Sequence, residues 1–265
     1  MPAPEHHARS HLTIALAVWK ALFLREAVTR VSGSRAAWLW LILEPVAHLS
    51  IVMLIFSAVR RRLFDGVSFA LFLAIGILAY NLFRNCATRS MAAISANRAL
   101  FAYRQVKAVD VVLVRAFLEG VIQFFVGGVL LAAMSVVGFH TLPHDPLAVF
   151  FLFAVFWAFG TGVGLILSAG STLVPEIGKL ATLFFVPLYF LSGVLYSPRI
   201  LPPEMREWLL LNPLMHGLEL LRAAFFANYT VVSGVEVGYL VTSTCASIFL
   251  GLALHVRFSS RLVME

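Results

Sequence analysis

Six apolar runs, at about 36–59, 69–86, 111–138, 147–173, 180–196 and 235–256, dominate the chain. About 20 apolar residues in a helix are needed to cross the roughly 30 Å hydrocarbon layer of a bilayer. Strands of a membrane barrel would alternate apolar and polar residues, whereas these runs are rich in Leu, Ala, Phe and Val on every face. With 61% hydrophobic and 12% charged residues, the chain cannot be wrapped into a water-soluble globule. The expectation is an all-α integral membrane protein with six transmembrane helices. Residues 1–35 would form a cytoplasmic interface helix and residues 36–265 the six-helix transmembrane domain.

The segment 10–30 carries Lys20, Arg25, Glu26 and Arg30 and lacks the short uninterrupted apolar core of a signal peptide. On a helix, Leu12, Leu16, Trp19 and Phe23 fall at i, i+4, i+7 and i+11, an apolar stripe with the charges largely elsewhere. This pattern predicts an amphipathic helix lying along the membrane surface.

Lys and Arg near the span ends set orientation. With the N-terminus inside, fourteen of the 20 Lys and Arg residues fall on cytoplasmic segments and six outside, so both termini are expected in the cytoplasm. Arg60, Arg61 and Arg62 break the rule. They suit either a site for an emerging polyanion or contacts with anionic lipid or an acidic partner. The two cysteines, Cys86 and Cys245, lie within spans, and the eight histidines show no ligand spacing, so no disulfide and no metal site is expected. No phosphate-cradling GxxxxGK[ST] sequence is present. Any ATP that drives this chain would be bound, with Mg, by another subunit.

Within the first span, Glu44, Pro45 and His48 are notable because ionisable groups in a membrane are costly and tend to be functional. Pro45 can kink the helix. Glu44 could pair with Arg84 or Arg89, and His48 shares its face at i+4. Gly160, Gly162, Gly164 and Gly170, with Ser168 and Ser171, give the fourth span small faces for close helix approach. The outer stretch 197–234 is broken by Pro202, Pro203 and Pro213 but stays apolar at 208–211 and 214–226, which predicts short re-entrant or interfacial helices. Glu219 and Arg222, at i and i+3, could pair there.

The loop 95–110 mixes Asn97, Arg98, Phe101, Tyr103, Arg104 and Lys107. Aromatic anchors among cations suit a partner-facing helix, although a solvated positive-inside loop has the same composition. The turn 173–179 offers Glu176 to a cation.

The runs ALFLREAVTRVSGSRAAWLWLILEPVAHL, NRALFAYRQVKAVDVVLVRAFLE, VPEIGKLATLFFVPLYFLSGVLY and LLNPLMHGLELLR resemble, in that order and across nearly the whole chain, the membrane subunit of ABC-type exporters of bacterial capsular polysaccharide. The permeases for O-antigen and teichoic acid are similar relatives. The resemblance implies a multi-pass protein of the inner membrane acting as a homodimer, with two copies of a separate ATPase subunit. It also implies a polysaccharide substrate, surrounding membrane lipid, and a periplasmic co-polymerase-like partner leading to an outer-membrane pore. Nucleic acid has no place in it, and the chain itself would carry no cofactor and no catalytic site. On that footing Asn97, Arg98, Phe101, Tyr103, Arg104, Lys107 and Glu176 would couple to the ATPase.

A polysaccharide channel needs aromatic faces for the CH groups of sugars and cations for acidic substituents. Tyr80, Phe83, Tyr189 and Tyr196 are candidates for the first task, alongside Trp38, Trp40, Trp157 and Phe190, of which a minority would reach the channel. Arg84 and Arg89 at the entrance and Arg60, Arg61 and Arg62 at the exit are candidates for the second, with Glu44 and His48 in the first span. A membrane glycosyltransferase or polymerase would instead need carboxylates poised at a cleft, and the acids Asp65, Asp110, Glu119, Asp145 and Glu236 look dispersed. A small-molecule ABC exporter is the nearer alternative.

Overall fold

The computed structural model describes residues 11–32, 37–56, 68–103 and 105–264. All regular elements among them are helical: α1 (His11–Ser32), α2 (Ala37–Phe56), α3 (Phe69–Met91), α4 (Ala93–Ala96), α5 (Ala108–Val136), α6 (Pro146–Leu173), α7 (Pro175–Leu191), α8 (Pro203–Leu209), α9 (Pro213–Phe225), α10 (Val237–Arg257) and α11 (Ser259–Met264). Four of them, α3, α5, α6 and α10, are long and apolar enough to cross a membrane. Of the remaining two expected spans, the described apolar part of α2 is Leu43–Ile55. The other, α7, has 17 residues, about 26 Å of helix at 1.5 Å per residue.

The axis of the bundle is α3. Its first half, Phe69 through Ala79, contains no polar side chain, and every residue from Phe69 to Phe83 is buried. A helix apolar all round must be surrounded, and α3 packs on α2, α5, α6, α7 and α9, most heavily on α6, whose other side takes α10. The helix also runs past the expected end at residue 86 to Met91, which keeps Thr88 and Arg89 helical.

Between apolar helices in lipid, contact is set by how closely backbones approach. In α6, Gly160 and Gly164 lie one turn apart and face α3: a Cβ on Gly160 would stand 2.6 Å from the Phe83 carbonyl oxygen, and one on Gly164 2.5 Å from Ser90 Cβ. Gly162, about 200° around the helix, meets α10, where Gly251 in turn lies against Leu165 and the Gly162 carbonyl. The glycine cluster therefore packs α6 between two helices at once.

Outside the long helices the chain folds back as short pieces. Gly193, at φ +72, turns it out of α7, and Asn212 caps α9 by accepting from the Leu214 amide at 3.0 Å. The two apolar segments foreseen here have different fates. Trp208 on α8 is exposed, while α9 sinks into the bundle with Leu214, Leu218, Leu221 and Phe225 buried. Two backbone bonds, His144 N–H to the Phe225 carbonyl and Asp145 N–H to the Ala224 carbonyl, tie the α5–α6 loop to the end of α9. Asp145 then caps α6 through the Ala148 amide at 3.0 Å.

Glu219 and Arg222 pair, as their spacing predicts, at 3.4 Å with neither side chain exposed. Arg222 also donates to the carbonyls of Gly193 and Val194, each at 2.9 Å, and of Tyr196 at 3.2 Å. Its guanidinium lies 3.6 Å from the ring centroid of Phe72. The Tyr229 hydroxyl donates to Glu219 at 2.6 Å and sits 3.0 Å from Ser197 Oγ. Burial, reinforced by the neighbouring Glu219 charge, pushes the Tyr229 phenol up, so it stays a donor. Gly76 of α3 makes room for this: a Cβ there would be 2.9 Å from the Val194 carbonyl.

Two stability outcomes follow in detergent-solubilised protein. Gly160→Ala, whose methyl meets immovable backbone, should lower stability by about 1–3 kcal/mol, whereas Gly128→Ala, with nothing within 4 Å, should leave the melting midpoint in place. Glu219→Leu strands a buried cation and should lose about 3–5 kcal/mol. Adding Arg222→Leu should not restore it, because three carbonyls then lose their donor; thermal unfolding of the single and double variants checks both statements.

Candidate functional site

A cavity of about 710 Å³ opens between α1, α2, α3, α5 and α7. Each helix lines it with residues at helical spacing: Glu26 and Arg30 from α1; Glu44, Pro45 and His48 from α2; Tyr80, Asn81, Arg84, Asn85, Thr88 and Arg89 from α3; Arg115, Leu118, Glu119 and Gln123 from α5; Thr182, Phe185, Val186, Tyr189 and Phe190 from α7. Side chains three and four apart share a helix face. The otherwise apolar α3, α5 and α7 thus each present one stripe with polar or aromatic groups to a common space.

The walls are organised by charge pairs. Arg115 binds Glu26 at 2.6 Å, Arg30 approaches Glu119 at 3.4 Å, and Arg84 approaches Glu44 at 3.7 Å. Gln123 donates to the second oxygen of Glu119 at 3.0 Å. Arg84 also lies 3.3 Å from Asn85 Oδ1. Next to the Arg84–Glu44 pair, Tyr80 and Tyr189 meet edge to face at 5.1 Å, the Tyr189 hydroxyl lies 3.3 Å from His48 Nε2, and Tyr80 donates to the Phe185 carbonyl. The cavity thus sets aromatic rings beside ionic and hydrogen-bonding groups.

Seven of the residues expected in a channel meet in this space: Glu44, His48, Tyr80, Arg84, Arg89, Tyr189 and Phe190. Glu44 chooses Arg84 rather than Arg89. Phe83 does not join them; it stacks on Phe159 at 5.2 Å and lines a second, apolar cavity of about 610 Å³ with Val163, Leu167, Phe184 and Leu188. It stays beside Tyr80, with ring centroids 6.1 Å apart, but lies about 100° around the helix from Arg84, at the edge of the polar stripe, where its ring turns to α6. Tyr196 lies beyond the end of α7, and its carbonyl serves Arg222. Trp157 is also turned to the protein, donating to the Ala116 carbonyl at 2.9 Å, while Trp40 is exposed. Arg60, Arg61 and Arg62 lie outside the described residues, as does Arg104.

Sequence reasoning missed Asn81, Asn85 and Thr88, although with Arg84 they recur every three or four residues down α3, which was the available signal. It also left Glu119 among the dispersed acids. Nothing local shows that Glu119 meets Arg30, 89 residues away.

The residues expected to couple to the ATPase surround a second cluster, in which Leu22, Ile94, Val111, Val112, Leu165 and Leu262 are buried together. The loop expected to be one helix is instead the single turn α4 and a 3₁₀ turn, Arg98–Ala102, because Asn97 is turned inward. Its side-chain amide donates to the Ala93 carbonyl at 2.8 Å and its oxygen accepts from Arg25 at 2.7 Å. Phe101 packs on the cluster, whereas Arg98, Tyr103 and Lys107 are exposed. Glu176, in the first turn of α7, is exposed as well.

The charged residues of α1 are its main docking groups. Trp19 donates to Asp110 at 3.0 Å, and Arg25, Glu26 and Arg30 engage Asn97, Arg115 and Glu119. Of the expected apolar stripe, Phe23 packs on the second cluster and meets Phe117 at 5.9 Å, while Leu16 is 70% exposed; Leu22, off that stripe, is 8% exposed. Arg115→Glu, which sets two carboxylates together, should raise amide exchange across residues 20–30 roughly tenfold. Combining it with Glu26→Arg should bring exchange back, a comparison accessible to hydrogen–deuterium exchange mass spectrometry.

Comparison with known proteins adds a family to this geometry. Residues 17–226 match the ABC-2 type transporter family. The chain is 35% identical over 248 residues to the polysialic acid transport protein KpsM of Escherichia coli, covering 94% of this chain and 96% of that one. It is 29% identical over 252 residues to the capsule polysaccharide export inner-membrane protein BexB of Haemophilus influenzae, covering 95% and 94%. With the capsule polysaccharide export inner-membrane protein CtrC of Neisseria meningitidis serogroup B it shares 28% identity over 249 residues, covering 94% and 93%.

Proposed function

The chain belongs to the ABC-2 type transporter family, and from that premise we propose that it is the permease subunit of an ATP-driven exporter carrying capsular polysaccharide, acidic and lipid-linked, across the inner membrane. The observation that carries this reading is the near end-to-end similarity to proteins named for polysialic acid transport and capsule polysaccharide export. The 710 Å³ cavity supports it, since cations and tyrosine rings in one space suit an acidic sugar chain.

In this reading α2 and α7 complete six spans with α3, α5, α6 and α10, residues 1–35 form the interface segment and residues 36–265 the permease domain. Both termini face the cytoplasm, where most Lys and Arg residues fall. Two copies of the chain enclose the channel, and two copies of an ATPase subunit, holding ATP and Mg, seat on the segment 97–107 and on Glu176. The exposed Arg98, Tyr103 and Lys107 are of the types that concentrate binding energy or charge at interfaces. Arg60, Arg61 and Arg62 serve the exit, and a periplasmic co-polymerase-like protein receives the glycan. The chain performs no catalysis of its own. The cavity's carboxylates Glu26, Glu44 and Glu119 are each engaged by a guanidinium, an arrangement for holding charge rather than for transferring protons.

Deleting the chain in cells that retain its ATPase should leave acidic polysaccharide inside and none on the surface, and re-expression should restore surface display. Total absence of the polymer on deletion would point to synthesis instead and would overturn the export reading.

A further inference from the structure

The cavity holds four guanidiniums and three carboxylates, and they pair unevenly. Arg30, Arg84 and Arg115 each have a glutamate within 4.0 Å. Arg89, in the last turn of α3, faces the same space, and no carboxylate of the described residues comes within that distance of it. Its own backbone carbonyl accepts from Arg115 at 3.4 Å, which places a second cation beside it, and Glu119 and Glu44 act on it only from beyond that distance.

A second imbalance lies two turns along the same stripe. Asn81 is 7% exposed and lines the cavity, yet its Oδ1 has no hydrogen-bond partner. Buried polar atoms without partners are few in folded proteins, and each calls for a reason. That oxygen is itself closed to solvent in this conformation, so a sugar hydroxyl reaches it only with an outward turn of the side chain, beside the edge-to-face pair of Tyr80 and Tyr189, whose rings suit apolar CH faces. Eight residues of helix separate Asn81 from Arg89, about 12 Å along the axis, so the two engage different parts of one extended molecule.

We propose that Asn81, the Tyr80–Tyr189 pair and Arg89 form a binding subsite for an acidic oligosaccharide segment, and that Arg89, the cavity cation left without a carboxylate, is the residue that selects for acidic over neutral sugars. This deepens the export reading and rests on it for the identity of the substrate. The three Arg–Glu pairs supply polar walls with no net charge, while Arg89 leaves a single positive charge for a sugar carboxylate. A transported chain must bind well enough to enter and weakly enough to leave. Four unpaired guanidiniums would trap a polyanion, and full neutralisation would not distinguish it from a neutral glycan.

The test uses the full chain in phosphatidylcholine nanodiscs, with a sialic acid hexamer, its carboxyl-reduced neutral form, and glycerophosphoglycerol as a phosphodiester headgroup probe. The wild-type chain should bind the acidic hexamer roughly tenfold more tightly than the neutral one, the scale of one charge-assisted hydrogen bond. Arg89→Gln should abolish that preference, and Arg89→Lys should retain most of it. Glu44→Gln, which releases Arg84 at a partly exposed pair, should strengthen binding of the acidic hexamer, an outcome that a folding defect would not produce. A preference unchanged in Arg89→Gln overturns the proposal, and so does binding of glycerophosphoglycerol with none of the hexamer, which would assign the cation to a lipid headgroup. Because the readout is binding, it stands apart from the deletion phenotype. Export can hold while charge selection by Arg89 fails, and charge selection can be measured even if the deletion shows the cellular role to be synthesis.

Discussion

Where α7 ends at Leu191, the chain leaves the helix against the bundle and exposes carbonyl groups that have no partner in the next turn. In an apolar setting such groups must be satisfied by protein, and here one side chain answers most of that demand. Arg222 donates to Gly193, Val194 and Tyr196, rests on Phe72 of α3, and has its charge met by Glu219. Tyr229 then closes the arrangement from the following loop. A single buried guanidinium so joins α3, the turn after α7, α9 and the loop before α10. The ends of those elements nearest Arg222 are held in one place.

With that end held, the other half of the bundle can separate enough to enclose polar space. The same α3 that is apolar on all sides through Ala79 acquires a polar stripe from Tyr80 onward, and the cavity begins there. Glycines hold α6 tightly on the opposite flank, so the opening lies toward α2, α5 and α7. Ion pairs from α1 to α5 line its wall, and the same helix grips Asn97 and Asp110 at the two ends of the segment proposed to meet the ATPase. A displacement of that segment would therefore reach Glu119 and Arg115 in the cavity through one rigid helix.

Several of these features were legible in the residues. The helical class, the pairing of Glu219 with Arg222 and the role of the glycines in close packing follow from i, i+3 and i, i+4 relations that a helix makes local. The convergence of Glu44, His48, Arg84 and Tyr80 was legible in part, because polar groups in apolar helices tend to face inward. Phe83 was placed with Tyr80 because both are aromatic, and it does lie beside Tyr80, yet at the edge of the polar stripe its ring stacks on Phe159 in the apolar core. The hydrophobic pattern of α1 did not show its charged partners, which lie far along the chain.

What the sequence by itself determined is the apolar helical class and, through the order of its motifs, the family, since both depend on residues near one another along the chain. The tertiary structure alone decided which charges meet. Arg30 with Glu119 and Arg115 with Glu26 each span 89 residues, and Arg25 reaches Asn97 across 72. Such partners are chosen by how helices pack, and helix packing depends on the shapes of whole faces rather than on any local pattern. The charge left over at Arg89 becomes visible only after every other cation in the cavity has found its carboxylate.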